Sequence, residues 1–475
     1  MRLDMGRALL QMVLPSHEEL SFQDVCDRVE KASSKLKLQM DVGHDGNKGR
    51  FLVAKEALSM GEVIISEVPL FDGNTEAEKS RQVYSEAFLE KLKQDGDDDD
   101  FESEDCYHPR SPLMDCVAAV LLCKQQAKEK SNQSWEDAAL KLRKFCALCR
   151  SPVEVSSEQQ ECVEDVFNAL KPEMQQITSR EEVGYMLQIL SSNRFGHDSG
   201  HMQLMFAGSM FEHSCLPNCF LGTWSETKTD APQCYRALRD IAPGEALSID
   251  YLNFPAGYAS ASARSQVLAQ WGFRCRCPRC VELPEIERSF VCPACGDASL
   301  CPPQPGCNEL RCLSCERVAD TTYAARCFER EAQLDDPTSP VAETLKKLQV
   351  ASDEENVLGH RHHLVMQALW QDVDQGMPEE GDDLDTFQEM LEALIESLCS
   401  VTRSKEHPAL LKLYHLAALS AKNDLELQQH YLQLEREMFQ RFYPEEAQRQ
   451  DDEIMALVKC NAPMEGYVDG FEMMD

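Results

Sequence analysis

Cys275, Cys277 and Cys280 stand as C-x-C-x2-C, three thiols within six residues. A second framework follows closely: Cys292-x2-Cys295, sixteen residues, then Cys312-x2-Cys315. A closed zinc site takes four ligands in a tetrahedron, and thiolates at C-x2-C spacing are presented in pairs by tight turns. The second framework therefore has the spacing of a zinc ribbon and is complete by itself. The first lacks one ligand, and Cys215, in the stretch MFEHSCLPNC, is its best candidate. The chain holds 22 cysteines. Clustered in these spacings in a long chain with no secretory pattern, they read as reduced, metal-binding thiols rather than a disulfide framework.

At 475 residues the chain has room for two to four domains. No apolar run approaches the length of a membrane helix. The N-terminal segment reads as an amphipathic helix, not a signal peptide, because Gln11 interrupts its apolar patch and no small-residue cleavage site follows. Acidic side chains outnumber basic ones 82 to 47, for a formal net charge of -35. DNA binding rests on basic phosphate contacts, so a transcription factor reading duplex through the ribbon is disfavoured. The charge suits a Lys/Arg-rich protein or peptide partner, or simply keeps the chain soluble.

Short β-rich runs separated by Gly-containing turns occupy residues 51–54 and 63–65, and strands are expected again over residues 235–238 and 246–250, joined at Pro243-Gly244. These features together resemble the SET-domain protein lysine methyltransferases, in the branch that pairs SET with a MYND zinc finger. The carriers are Lys48-Gly49-Arg50 before the first strand, Ser192-Asn193-Arg194-Phe195, the Glu212-His213-Ser214-Cys215 turn, the segment from Gly244-Glu245 to Tyr251, and the cysteine run. A complete MYND finger is absent: Cys146-x2-Cys149 has no second pair, and free buried cysteines are the preferred reading there.

The resemblance implies an α+β fold. A SET-type β-rich domain is split by a helical insertion and followed by a cysteine-rich post-SET zinc site, a ribbon-like segment and an all-helical C-terminal domain. The expected divisions are an N-terminal helical extension (1–40), the first SET part (41–70), a helical insertion with an acidic loop (71–185), the SET core (186–255), the post-SET segment (256–282), the ribbon-like segment (283–320) and tetratricopeptide-like helices (321–475). It implies S-adenosylmethionine as methyl donor and a histone or other basic protein as substrate; alongside it a monomer, no direct DNA or membrane binding, and residence in cytoplasm, nucleus or both are expected. Tyr251 is the implied catalytic residue. Lys48, Gly49, Arg50, Asn193, Glu212, His213, Tyr251, Trp271 and Phe273 are the implied cofactor contacts, with Trp271 and Phe273 also lining the lysine channel. One zinc falls to Cys215, Cys275, Cys277 and Cys280, and another to Cys292, Cys295, Cys312 and Cys315.

Two positions depart from the family pattern. Phe51 stands where a glycine lets the backbone approach the cofactor, and Glu212 stands for an asparagine, so an acceptor-only group replaces one that also donates. They motivate a second reading, a noncatalytic zinc-stabilised scaffold binding partners through its C-terminal helices. His360, His362 and His363 read as solvated surface on a charged helix rather than as metal ligands.

Overall fold

The structure is a computed structural model. It describes residues 10–13, 18–40, 49–72, 77–94, 112–129, 134–148, 157–196, 202–222, 232–252, 256–335, 357–374, 376–378, 382–421, 424–444 and 447. Lys48, Cys149 and the acidic run of residues 95–105 lie outside these residues.

The expected helical extension does contain a helix, Phe22–Ala32, opened by a capping box in which Ser21 and Asp24 satisfy each other's backbone N–H. It gives way to a strand, β1 (Leu36–Met40). The reason is a period of two: Leu36 and Leu38 are buried, while Lys37 between them is exposed and Gln39 after them is half-buried. β1 pairs antiparallel with β2 (Arg50–Ala54), with Met40 opposite Arg50. β3 (Val63–Glu67) pairs with β9 (Gln233–Ala237), which pairs in turn with β8 (Cys219–Leu221). A third sheet joins β4 (Phe71–Asp72), β6 (Met202–Leu204) and β5 (Arg194–Gly196). Small sheets from distant parts of the chain and the insertion helices, Pro112–Lys128, Trp135–Cys146 and Arg180–Asn193 among them, thus pack on one hydrophobic core.

The element that positions the site is the parallel pair of β7 (Glu212–His213) and β10 (Ser248–Ile249), in which Glu212 lies opposite Ser248 and His213 opposite Ile249. A parallel pair needs a long crossover, and here it is the whole β8–β9 excursion. Beyond it, helices His363–Asp374, Asp382–Thr402, Leu411–Ser420 and Leu425–Phe442 build a second core around Leu391, Leu394, Leu398, Leu413 and Phe442, while helix Thr321–Leu334 packs with Phe290, Leu300 and Leu310 in a third. Among the described residues no helix is long and apolar enough to cross a membrane.

Candidate active site

The β7–β10 ladder fixes the site through the backbone. Ser214 N–H donates to Ile249 C=O (3.0 Å) and Glu212 N–H to Leu247 C=O (3.2 Å). One residue further on, Tyr251 N–H donates to Nδ1 of His213 (3.1 Å), and the Tyr251 hydroxyl donates to Phe211 C=O (2.5 Å). The His213 side chain has no solvent exposure, and burial pushes its pKa down to about 4. The ring is therefore neutral near pH 7. Because Nδ1 accepts from Tyr251, the proton sits on Nε2, which faces the Cys215 sulfur at 3.2 Å. His213 is thereby a tie between Tyr251 and the cysteine cluster, not a base.

The Tyr251 ring lies 5.2 Å from His213, 5.9 Å from Trp271 and 6.2 Å from Phe273, centroid to centroid, and His213 lies 5.9 Å from Phe273. These rings and the first cysteine set share a small separate cluster whose buried apolar members are Cys215, Leu252, Leu268 and Cys275. Side chains alternate about segment 250–252. Tyr251 faces the aromatic wall, whereas Asp250 and Leu252 line a cavity of about 440 Å³ on the other side, between the His-Ser-Cys turn and the C-terminal helices. Burial raises Asp250 to a pKa of about 6.

The remaining residues singled out from sequence are placed less uniformly. Asn193 is buried at the end of its helix, its Nδ2 donating to Ile189 C=O (2.7 Å) and its C=O lying 3.4 Å from Ser209 Oγ. Arg50 turns towards the insertion, where Nη2 donates to Ala147 C=O (2.5 Å). Phe51 sits half-buried on β2 opposite Gln39. Gly49 precedes β2, and Glu212 is half-buried on β7.

Two residues with no distinguishing sequence signal hold this arrangement. Glu67, at the end of β3, accepts N–H bonds at 3.0 Å from Phe206, Ala207 and Gly208, and so fixes the turn leading to Phe211. Burial raises its pKa against the pull of those bonds. Asn218, 2% exposed, donates to Glu245 Oε1 (3.0 Å) and Ala246 C=O (2.8 Å) and accepts Ser248 N–H (2.8 Å). It stitches the His-Ser-Cys turn to the strand that precedes Tyr251. Asn218→Ala strips these partners and leaves the Ser248 N–H unpaired, so urea unfolding should show a loss of about 2–3 kcal/mol.

Both cysteine quartets converge, with the four sulfurs of each within 4.8 Å of one another. In the first, Cys215 Sγ is 3.5 Å from Cys280 and 3.9 Å from Cys275; in the second, Cys292–Cys315 and Cys295–Cys312 are both 3.7 Å. Zinc–sulfur bonds of about 2.3 Å in a tetrahedron put sulfurs about 3.8 Å apart, so both sets fit zinc without rearrangement. In the second set each C-x2-C turn closes on a left-handed residue, Gly296 (φ 76°) and Glu316 (φ 61°), and β11 (Leu300–Cys301) pairs with β12 (Arg311–Cys312). Cys116, Cys123, Cys146 and Cys162 are buried thiols that join no metal-ligand group among the described residues.

The histidines contradict the expectation of a solvated face: His362 is 0% and His363 8% exposed. They fold onto Glu331, whose carboxylate lies 3.3 Å from His362 Nε2 and 3.7 Å from His363 Nε2. The donor set does not fit a metal. Arg288 occupies both Glu331 oxygens (2.7 and 2.5 Å), and His362 Nδ1 accepts Leu364 N–H, which puts the ring proton on Nε2. Burial would raise Glu331, but Arg288 and the two histidines outweigh it and hold the carboxyl well below its usual range. The group is an ion network pinning helix Thr321–Leu334 to the start of helix His363–Asp374.

Comparison with known proteins follows the same lines. No curated protein gives a significant match. Among solved structures, one described as the SET domain of LSMT bound to lysine and AdoHcy aligns over 95% of this chain and 100% of its own, at 11% identity and a TM-score of 0.35. Another, Rubisco LSMT bound to AdoMet, aligns over 88% and 92%, at 12% identity and the same TM-score. Likeness at that level decides nothing about this chain. The family model for the SET domain matches residues 49–252, from the glycine before β2 to the residue after Tyr251. Those residues form a SET domain.

Proposed function

We propose that this chain is an S-adenosylmethionine-dependent protein lysine N-methyltransferase acting on a basic protein or peptide, with two structural zinc ions. The observation that carries this reading is the placement of Tyr251: its hydroxyl is tethered to Phe211 C=O inside a wall of His213, Trp271 and Phe273. Those ring faces suit the adenine and cationic sulfur of the donor. When bound, S-adenosylmethionine supplies an electrophilic methyl group, whose S–C bond breaks as the N–C bond to lysine forms, leaving a thioether.

The chain's residues then have distinct tasks. With its hydrogen donated to Phe211 C=O, the Tyr251 hydroxyl oxygen acts as an acceptor towards the lysine amine and the methyl hydrogens. No protein base is required. A lysine entering an apolar, water-poor channel loses its proton more readily because burial disfavours the ammonium. Trp271 and Phe273 hold water away and restrict the amine to an in-line approach. Zinc at the first set fixes the segment carrying both rings.

The noncatalytic scaffold is the second reading, favoured by one observation, that Arg50 donates to Ala147 C=O in the insertion, and by the sequence departures at Phe51 and Glu212. Calorimetric titration of S-adenosylmethionine into the zinc-loaded protein separates the two. Saturable binding of one equivalent is expected, followed by transfer of labelled methyl to lysine in a histone mixture. A folded, zinc-loaded chain that takes up no S-adenosylmethionine would establish the scaffold instead.

A further inference from the structure

Against the first cysteine set lies a group of charged side chains shut off from solvent. Arg264, in helix Ala261–Leu268, is 0% exposed; its Nη1 donates to Ala259 C=O (2.5 Å) and to Glu287, and its Nη2 lies 3.6 Å from Cys280 Sγ. Arg279, between Cys277 and Cys280, is 5% exposed. Its Nη1 donates to Cys215 C=O (3.0 Å) and Gly257 C=O (2.8 Å), and its Nε is 3.3 Å from Glu287 Oε1. Glu287, 1% exposed, receives both arginines. Its neighbour Arg288 turns the opposite way, to Glu331, so the short turn Ile286–Arg288 is bolted to the first cysteine set on one side and to helix Thr321–Leu334 on the other.

Buried charge is costly unless compensated nearby. Among the groups in direct contact, two arginines beside one carboxylate leave an unmatched positive charge if the four cysteines are neutral thiols; the buried Asp250 also feels the field of both arginines. Zinc with four thiolates carries two negative charges, and two arginines and one glutamate carry one positive, so loading leaves a single net negative charge in place of two. The contact from Arg264 Nη2 to a ligand sulfur has the direction this requires.

We propose that Arg264 and Arg279 are positioning residues that supply the counter-charge for a zinc tetrathiolate at Cys215, Cys275, Cys277 and Cys280, and that Glu287 orients them while partly offsetting their charge. The proposal rests on the zinc reading above. It assigns opposite effects to two neighbouring substitutions: Arg264→Met removes compensation, whereas Glu287→Gln brings zinc, thiolates and arginines to neutrality. A purely structural salt bridge would make both harmful.

The test is zinc release from the full chain into excess chromophoric chelator. Wild type should release zinc in two phases, the faster from the set containing the exposed Cys295 and the slower from the buried set. Arg264→Met should speed the slow phase at least about tenfold, the range found when partners of metal ligands are lost, without changing the fast phase. Glu287→Gln should leave the slow phase no faster than wild type. An unchanged slow phase in Arg264→Met, or equal acceleration in both variants, overturns the proposal. If Arg264→Met does not fold, Glu287→Gln decides alone, since a faster slow phase contradicts the charge balance. If Cys277→Ser holds as much zinc as wild type, the zinc assignment itself has failed, which is a different result.

Discussion

Replacing Tyr251 by phenylalanine should abolish most methyl transfer, by about 10²–10³-fold, while leaving zinc content and fold intact. The rate loss is the size seen when one preorganised polar group facing the reacting atoms is removed. The stability loss is small because the substitution deletes one hydrogen bond, the 2.5 Å contact to Phe211 C=O, worth about 1 kcal/mol net. The ring itself stays, and with it the packing on His213, Trp271 and Phe273. Phe211 C=O loses a partner, but β7 is held to 247–249 by backbone bonds that do not involve Tyr251. Transfer assayed with labelled S-adenosylmethionine, alongside elemental analysis and a melting curve, separates the two effects. Unchanged turnover would remove Tyr251 from the mechanism.

Cys277→Ser should have the largest effect on structure: one of two zinc ions per chain lost, transfer abolished, and residues 256–282 opened to protease. The local apolar cluster there has four buried members, Cys215, Leu252, Leu268 and Cys275, two of them from the proposed zinc set. A core that small does not hold a segment in place by burial alone, and metal binding supplies the difference. The zinc contribution to such sites is of the order of 10 kcal/mol, well beyond what Trp271 and Phe273 recover by packing. The main SET core around Leu52, Ile64, Val117 and Tyr235 is separate and should survive. Far-UV circular dichroism should therefore change little while proteolysis between Tyr251 and Glu287 accelerates. Elemental analysis showing two zinc ions in the variant would mean that this cysteine set has been misread.

Spacing along the chain carried the parts of this protein that are local. Ligand pairs at C-x2-C, the left-handed turn after each pair, and a tyrosine placed just after a strand are properties of a few consecutive residues, so the sequence alone grouped eight cysteines into the two sets whose sulfurs converge. Period was ambiguous at residues 36–40, where five residues of LKLQM following a helix could have continued it. Pairing with β2 decided for a strand. His362 and His363 looked solvated because charged residues surround them in sequence; they are buried because Arg288 and Glu331, far off along the chain, supply a charge pair they can join. Glu67, Asn218, Arg264 and Glu287 are ordinary polar residues in the sequence and acquire their tasks only from what the fold brings to them: three backbone N–H groups, a strand edge, a thiol cluster. A ligand set or a strand end is written in consecutive residues. A buried charge is defined by its partners, and those are chosen by the tertiary structure.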